Sequence, residues 1–455
     1  MGSGDGQCGE RAPDRTWRRY LVAHFSKSIL WHASGLLFAF FLTETCGLAP
    51  RAMGAVIAVS LFVNAASDVA TGRRIGPAMR APAIVLIRQE AAAGPASLFF
   101  LLFCATPFLP VSIRLGAALV TLVGFRIAYS RMDVPQNALV PLLAPGSAAR
   151  MRLLAARNVC GGFAGLLVAA VAAPLLLADT GSALPHAAWA AIVAGAAVIS
   201  ARRLAATRGI AAPATPEASH PGRRAALPGA FVLAIACAAT AGSTMFRAME
   251  PYAAAYGGTG IGIMIWASLG AILCQPVWAV AGHRLSPHLP PALAGGCALV
   301  AALALADPPR AGGIGVAVAG LGFGIGSGGV WLMVWDAAIR GDDQSANLQR
   351  IASLTAVSKA AQGVAMLWLG HALHDAPYRT ALATPGVMRS LTMIAALLLV
   401  VLGGLLLALS ERRLSRTSRD AGLGMPRLAV PPVPDQAPPP STASPAPAPR
   451  AAAAG

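Results

Sequence analysis

Long apolar stretches alternate with short polar segments along most of the chain. Each stretch holds about 20 residues, the length that a helix needs to cross ~30 Å of membrane hydrocarbon. The stretches lie near 20–43, 50–72, 81–104, 111–143, 153–178, 186–204, 227–250, 259–282, 289–306, 311–340, 346–373 and 387–410. The pattern predicts an all-α polytopic membrane protein with about twelve transmembrane helices.

A polar, proline-rich segment, "AATRGIAAPATPEASHPGRRAA", falls midway along the predicted spans. Two six-helix bundles joined by such a loop are the plan of the major facilitator transporters, whose site lies between the halves near the membrane midplane. We therefore expect a cytoplasmic N-terminal segment (1–19), an N-terminal six-helix bundle (20–204), a cytoplasmic linker (205–226), a C-terminal six-helix bundle (227–410) and a disordered, Pro/Ala/Ser-rich cytoplasmic tail (411–455).

The composition supports a membrane protein and gives its orientation. The chain is 56% hydrophobic and 12% charged, which leaves too few charges to cover a soluble protein of this size. The net charge is +17, and the arginines cluster in alternate segments between spans, which is the positive-inside pattern. The pattern predicts a multi-pass protein of the plasma (inner) membrane with both termini cytoplasmic, and it indicates no nucleic-acid partner.

Several motifs carry no catalytic or metal-binding signal. The seven cysteines occur singly, and no Ser/His/Asp, Cys/His or paired-carboxylate arrangement supports hydrolysis, so we expect neither a metal site nor an enzyme. The glycine-rich stretch 320–329 lies inside an apolar span and predicts close helix packing. Arg247 and Glu250 are spaced i, i+3 and are expected to form a mutual ion pair, with an outward gate as the alternative.

Ionisable residues inside the spans are candidates for function, because a charge at the bilayer centre costs about 2.5–3.5 kcal/mol on insertion scales. In span 50–72, Asn64, Asp68 and Thr71 follow helical spacing along one face. In span 111–143, Arg126, Ser130 and Asp133 follow the same spacing. The remaining candidates are Asp336 near one end of span 311–340 and Lys359 in span 346–373.

Lysine is rare in this chain. Of 35 basic residues only Lys27 and Lys359 are lysines, and both lie within predicted spans. Lys359 is expected to take part in gating or substrate binding, or to be the structural partner of a buried carboxylate. Lys27 lies near the predicted cytoplasmic edge, where its side chain is expected to snorkel to the membrane surface.

Asp133 lies two residues before Pro135, which removes a backbone donor and predicts a kink with freed carbonyl oxygens. A carboxylate beside such oxygens is a suitable setting for a small cation. The alternative is a simple kink in which Asp133 pairs with an arginine.

Several motifs together resemble those of the glycoside–pentoside–hexuronide cation symporters, the major-facilitator branch that includes the melibiose permease. The stretch "MDVPQNALVPLL" (132–143) is similar to that family's fourth-helix motif, and "VSKAAQGVAMLWLG" (357–370) is similar to its eleventh-helix segment. Weaker similarity is found in "FVNAASDVATG", "RMRLLAARNVCGGFAGLL" and "VWLMVWDAAI". The resemblance extends over most of residues 20–410.

The resemblance implies roles for individual residues. It implies cation binding by Asp68, Asp133 and the neighbouring Asn64, and substrate binding by Asp133, Arg157, Lys359 and Ser28. Asn64 and Ser28 stand where that family has carboxylates, and Gln136 and Asn137 replace an aromatic pair. Asp336 and Arg126 are expected to be gating or structural charges.

The predicted function is cation-coupled symport of a sugar, glycoside or related small polar solute by alternating access. Asp68 and Asp133 would take up a proton or hold one monovalent cation, so H⁺ or Na⁺ is the expected coupling ion and no other cofactor is expected. The expected partners are the solute, the cation and the lipid bilayer, and a monomer is expected. Two alternatives remain open: a transporter of the same fold for a lysolipid or other amphiphile, and a non-transporting membrane scaffold or sensor.

Overall fold

Helices account for most of the described chain, which in the computed structural model comprises residues 12–76, 81–144, 147–177, 182–207, 230–256, 262–281, 308–339, 344–375 and 378–379. The spans predicted at 289–306 and 387–410 lie outside the described residues, as do most of the predicted linker and the whole predicted tail. All described residues belong to one compact unit.

The helices follow the other predicted spans in order. They are α1 (Ala12–Leu36, continued by Phe38–Phe40 and the π-helical turn Phe41–Thr45), α2 (Pro50–Ile75), α3 (Pro82–Cys104), α4 (Val111–Leu143), α5 (Ser147–Leu167, continued by the π-helical turn Val168–Ala172 and by Ala173–Leu177), α6 (Leu184–Ala205), α7 (Ala230–Tyr256), α8 (Ile263–Leu273, continued by Gln275–Ala281), α9 (Pro308–Ala338) and α10 (Gln344–Asp375). A short 3₁₀ turn, Thr106–Phe108, precedes α4.

The described helices are suited to a membrane. Seven of them are long and apolar enough to cross a bilayer, or eight if the bent first helix is counted as one span. That helix was predicted as a single span, whereas its two parts, Arg15–Leu36 and Phe38–Thr45, meet at 50°. The bend precedes the π-helical turn, and π-helical turns commonly accompany bends in helices. The prediction of an all-α polytopic fold is confirmed.

Proline does not interrupt α4. The helix continues from Val111 to Leu143 with Pro135 and Pro141 inside it. The side chain of Asp133 therefore projects from a continuous helix, and its partners are side chains of other elements, described below.

Close packing of α2 on α10 connects α1–α6 with α7–α10. Helix α2 packs along α10: a Cβ added at Gly54 would lie 2.7 Å from the carbonyl oxygen of Met366, and one added at Gly72 would lie 2.6 Å from the Cβ of Ala352. Gly54 is near the start of α2 and Gly72 is near its end, so the two helices stay in contact along their length. This packing brings the middle of α2 against the middle of α10.

The glycine-rich stretch of α9 packs directly on α8, as predicted from its sequence. A Cβ at Gly324 would overlap the carbonyl oxygen of Ala267, and a Cβ at Gly270 would overlap that of Leu321. Small residues at these crossings let the two backbones approach closely, which is how helices associate in lipid.

Replacing Gly324 tests this contact. Gly324→Ala should destabilise the protein by about 1–3 kcal/mol, because the new methyl group meets backbone that moves only if the helices separate. Gly313→Ala in the same helix is the matched control, since a Cβ there has nothing within 4 Å. Thermal unfolding of the purified protein in detergent measures both, and equal midpoints for the two variants would contradict the packing argument.

Candidate functional site

A cavity of about 250 Å³ lies among helices α1, α4, α5 and α7–α10. This volume is slightly below the ~300–1,000 Å³ typical of small-molecule sites. Aromatic side chains and hydrogen-bonding groups both line its wall. The charged residues that line it are Lys27, Asp133, Arg157, Arg247 and Lys359.

Asp133 on α4 has partners on three sides. Its Oδ1 accepts a hydrogen bond from Lys27 Nζ at 2.6 Å and another from Asn137 Nδ2 at 3.0 Å. Its Oδ2 lies 3.7 Å from Lys359 Nζ. The carboxylate is therefore held by two ammonium groups and an amide. The alternative of a pair with an arginine is not what the structure shows.

The prediction that Lys27 snorkels to the membrane surface is wrong. Its side chain is only 3% exposed, and its ammonium also donates to Asn137 Oδ1 at 3.2 Å. Lys27 lies on the face of α1 that meets α4, so Asp133 offsets the cost of burying its charge. Closeness to a helix end suggested the surface, whereas the rarity of lysine was the better signal.

Asp68 on α2 is completely buried and pairs with Lys359 on α10. The distance from Lys359 Nζ to Asp68 Oδ2 is 2.6 Å, and the same ammonium donates to Asn64 Oδ1 at 3.1 Å. The ammonium also lies 5.4 Å from the ring centre of Trp31 and 5.6 Å from that of Tyr129. Cation–π contacts of this kind further compensate a buried charge.

Lys27, Asp133, Lys359 and Asp68 thus form a chain of alternating charges, which we call the charge network. It joins α1, α4, α10 and α2 through contacts of 2.6 Å, 3.7 Å and 2.6 Å. The network differs from a single cation site shared by Asp68 and Asp133, because Lys359 stands between the two carboxylates. Each carboxylate already holds an ammonium group of the protein.

Three other predicted residues have structural partners. Arg126 donates to Ser34 Oγ at 3.2 Å and its guanidinium lies 5.2 Å from the ring centre of Trp31, so it supports the ring that covers Lys359. Ser28 lines the cavity and donates to the carbonyl oxygen of His24 at 2.7 Å. Asp336 lies outside the cavity lining and forms an ion pair with Arg150.

Arg157 on α5 faces the cavity and is 5% exposed. Its guanidinium stacks on the ring of Trp335, 3.9 Å from the ring centre. Its Nε and Nη1 are buried and make no hydrogen bond within the described part of the chain. Arg157 therefore presents a cation with free donors to whatever occupies the cavity.

Arg247 on α7 does not pair with Glu250, and that prediction is wrong. Glu250 Oε1 instead accepts hydrogen bonds from the backbone N–H groups of Gly262 at 2.9 Å and Met264 at 3.1 Å. The first N–H groups of a helix lack partners within it, and Glu250 satisfies two of these at the start of α8. Arg247 faces the cavity, with its Nη1 3.3 Å from His32 Nδ1.

Side-chain contacts join the two groups of helices at both ends of the bundle. At the end where α1 begins, Arg150 Nε lies 3.6 Å from Asp336 Oδ1. At the end where α1 stops, Glu44 accepts hydrogen bonds from Tyr256, Tyr378 and Arg379, the latter two at 2.8 Å and 3.1 Å. Glu44 is absent from the residues predicted for the site, although an acidic residue that closes an apolar run is a usable signal.

The sequence matches the family model described as MFS/sugar transport protein over residues 20–412. The chain belongs to this family. As a member it is a multi-pass membrane transporter of the major facilitator type rather than an enzyme, and its partners are a small-molecule substrate and the bilayer. No curated protein matches the sequence. The family assignment confirms transport and so removes the scaffold alternative.

Solved transporters share the fold. A POT family transporter in complex with 5-aminolevulinic acid is similar at a TM-score of 0.62 and 11% identity, over 88% of this chain and 96% of that one. The major facilitator transporter FucP in the outward conformation is similar at 0.57 and 14%, over 87% and 99%. The nucleoside transporter NupG is similar at 0.58 and 13%, over 86% and 99%. At such identities the likeness shows the fold alone.

Removing one partner of the pair of Asp68 and Lys359 should strongly destabilise the protein. Lys359→Met leaves the fully buried Asp68 without its ammonium, and we expect a loss of about 3–5 kcal/mol. Adding Asp68→Asn should restore most of that loss, because neither charge then remains. Chemical or thermal unfolding of the single and double variants gives the comparison.

The exposed pair of Arg51 and Asp375 is the matched control for this cycle. It has a similar length, 2.9 Å, but its side chains are 51% and 63% exposed. Arg51→Met should cost only about 0–1 kcal/mol. If the Lys359→Met variant were as stable as Arg51→Met, the buried pair would contribute no more to the free energy of unfolding than the exposed pair does.

Removing the charge of Glu44 should loosen the end of the bundle at which it lies. Glu44→Gln keeps the size of the side chain but weakens the bonds from two tyrosines and an arginine. Faster amide hydrogen exchange is expected in Tyr252–Tyr256, the last turn of α7, measured by mass spectrometry. Arg51→Gln at the same end is the control, and faster exchange in both variants alike would indicate general loosening instead.

Proposed function

We propose that the protein is a proton-coupled symporter of a small polar solute, with Asp133 as the residue that links proton and solute. The observation that carries the proposal is the double position of Asp133. It lines the solute cavity, and it also lies in the charge network that leads to Asp68.

Coupling follows from the charge balance of the network. Protonation of Asp133 would remove the charge that holds Lys27 and part of the field on Lys359, so both ammonium groups would gain freedom to bind solute oxygens. In the reverse direction, a solute that engages these ammonium groups would alter the proton affinity of Asp133. Such reciprocity is required of any coupling between two binding equilibria.

A proton suits this site better than sodium. A hard cation is held by several oxygen ligands, whereas both carboxylates here already hold protein ammonium groups. Position 64 supplies an amide oxygen, and that oxygen also accepts from Lys359. A proton needs only one of the carboxylates and releases its ammonium partner in the same step.

The cavity wall favours a sugar or a related small polar solute over a lysolipid. Trp31, Tyr129, Trp331 and Trp335 offer ring faces among hydroxyl, amide and charged groups. Apolar faces with a few placed polar groups are typical of sites for small organic molecules. The family assignment to sugar transport proteins points the same way.

Alternating access would use the contacts at the two ends of the bundle. The hydrogen bond from Tyr256 to Glu44 and the pair of Arg150 with Asp336 each join α1–α6 to α7–α10. Rocking of one group of helices against the other would break one set while the other holds. The cavity lies between the two sets.

Asp133→Asn should abolish uphill uptake driven by a proton gradient while the protein still reaches the membrane. The amide keeps the shape of the side chain but cannot change its charge. Uptake into proteoliposomes under a proton gradient, and separately under a sodium gradient, makes the measurement.

Asp375→Asn, at an exposed position, is the matched control and should transport normally. Normal uphill transport by Asp133→Asn would overturn the role of Asp133. Uptake by the unaltered protein under the sodium gradient alone would replace the proton by sodium.

A further inference from the structure

The cavity has more positive charge than its own carboxylates can balance. Lys27 is paired with Asp133, and Lys359 is paired with Asp68. Arg157 and Arg247 also line the cavity, and no described carboxylate forms an ion pair with either of them. Two guanidinium groups are thus left to face the solute.

The excess of positive charge requires a partner because it is buried. An arginine at a membrane surface is balanced by water and lipid phosphate, but Arg157 is 5% exposed. A buried charge is normally paired and hydrogen-bonded, because an uncompensated one is costly. A bound ligand offsets this cost when it supplies the missing partner. Ionisable residues inside membrane spans that have no functional role are rare.

The geometry of Arg157 leaves its donors available. The ring of Trp335 takes the flat face of the guanidinium, 3.9 Å from the ring centre. Hydrogen-bond donors of a guanidinium lie in its plane, so stacking on a ring does not use them. The Nε and Nη1 groups make no hydrogen bond to any described residue, and Nε of Arg247 is in the same condition. A planar, pre-positioned fork of this kind matches a carboxylate or phosphate.

We propose that the transported solute is an organic anion of about monosaccharide size, whose carboxylate or phosphate oxygens bind Arg157 and Arg247. This inference rests on the proposed function, since it names the class of cargo for the same cavity. Arg157 on α5 is the main anchor, and Arg247 on α7 is the second contact. Because these helices belong to different groups, an anion that touches both would draw the two groups together as the site loads.

The arrangement also predicts that loading adds no net charge to the site. The charge network is balanced in itself, with two ammonium groups and two carboxylates. A monoanion entering with one proton adds no net charge to the buried site. A neutral solute entering with a proton would add a positive charge to a cavity that already has an excess.

A pair of probes that differ in one charge tests the proposal. Glucuronate and glucuronamide have the same ring and nearly the same size, but only the first is an anion. The full-length purified protein should bind glucuronate at least about tenfold more tightly than glucuronamide, which is the size of effect expected for one charge-assisted hydrogen bond. Thermal shift titration gives both affinities, and glucose 6-phosphate in a third arm distinguishes phosphate from carboxylate. Equal binding of the charged and neutral probes, or binding of no probe, would overturn the proposal.

Variants show whether the named arginines cause the preference. Arg157→Gln should remove it, whereas Arg157→Lys should keep part of it, because lysine retains the charge without the planar fork. Arg247→Gln, on the other side of the cavity, should also reduce the preference for glucuronate. Arg88→Gln, at an exposed position on α3 outside the cavity, is the control and should keep the full preference. An unchanged preference in Arg157→Lys and Arg247→Gln would overturn the assignment even if Arg157→Gln fails to fold.

These binding measurements use no ion gradient, so they separate this inference from the proposed symport. A preference for the anion without gradient-driven uptake would support the cargo class and reject coupling. Proton-driven uptake of glucuronamide as fast as that of glucuronate would support coupling and reject the cargo class.

Discussion

The burial of Lys359 between two helices is the constraint on which the site depends. A lysine ammonium inside an apolar bundle is stable only where a carboxylate and further donors or rings replace water. Asp68 lies 2.6 Å away, Asn64 accepts a hydrogen bond, and Trp31 and Tyr129 cover the charge. The contacts with Asp68 and Asn64 depend on close packing of α2 against α10, which small residues such as Gly54 and Gly72 allow, whereas Trp31 and Tyr129 approach from α1 and α4. Moving the two helices apart would expose a charge pair, so packing and electrostatics fix each other.

The pair of Lys359 with Asp68 is connected to the cavity by one longer contact, from Lys359 to Asp133. Lys359 is 3.7 Å from Asp133, while Lys27 is 2.6 Å from it. Asp133 therefore lies between a tightly bound lysine and a more weakly bound one, at the wall of the cavity. A change of charge at this carboxylate must redistribute both lysines. A residue with these properties is suited to link an ion to a solute, and the excess of arginine beside it bears on which solute that is.

Charge determined which parts of the site were foreseeable. Asp68, Asp133 and Lys359 stand out because a charged residue in an apolar span needs a reason. The short distance of Lys27 from a helix end favours the membrane surface, whereas its rarity marks it as strongly as Lys359. Arg247 and Glu250 were paired on helical spacing, but Glu250 found two backbone donors at the start of α8 instead. Spacing along one helix says which side chains are able to meet, and not which partners from other helices compete for them.

The sequence by itself determined the class of fold, the order of the helices and the short set of buried charges, because apolar length and the cost of burying charge are local properties of the chain. It also determined that the glycines of 320–329 serve packing, since they lie within an apolar span. Only the tertiary structure decided how the charges pair, because Lys27 with Asp133 and Lys359 with Asp68 are separated by 106 and 291 residues. It likewise decided that Arg157 and Arg247 are left facing the cavity. Pairing depends on which helix faces meet, and that follows from the packing of the whole bundle.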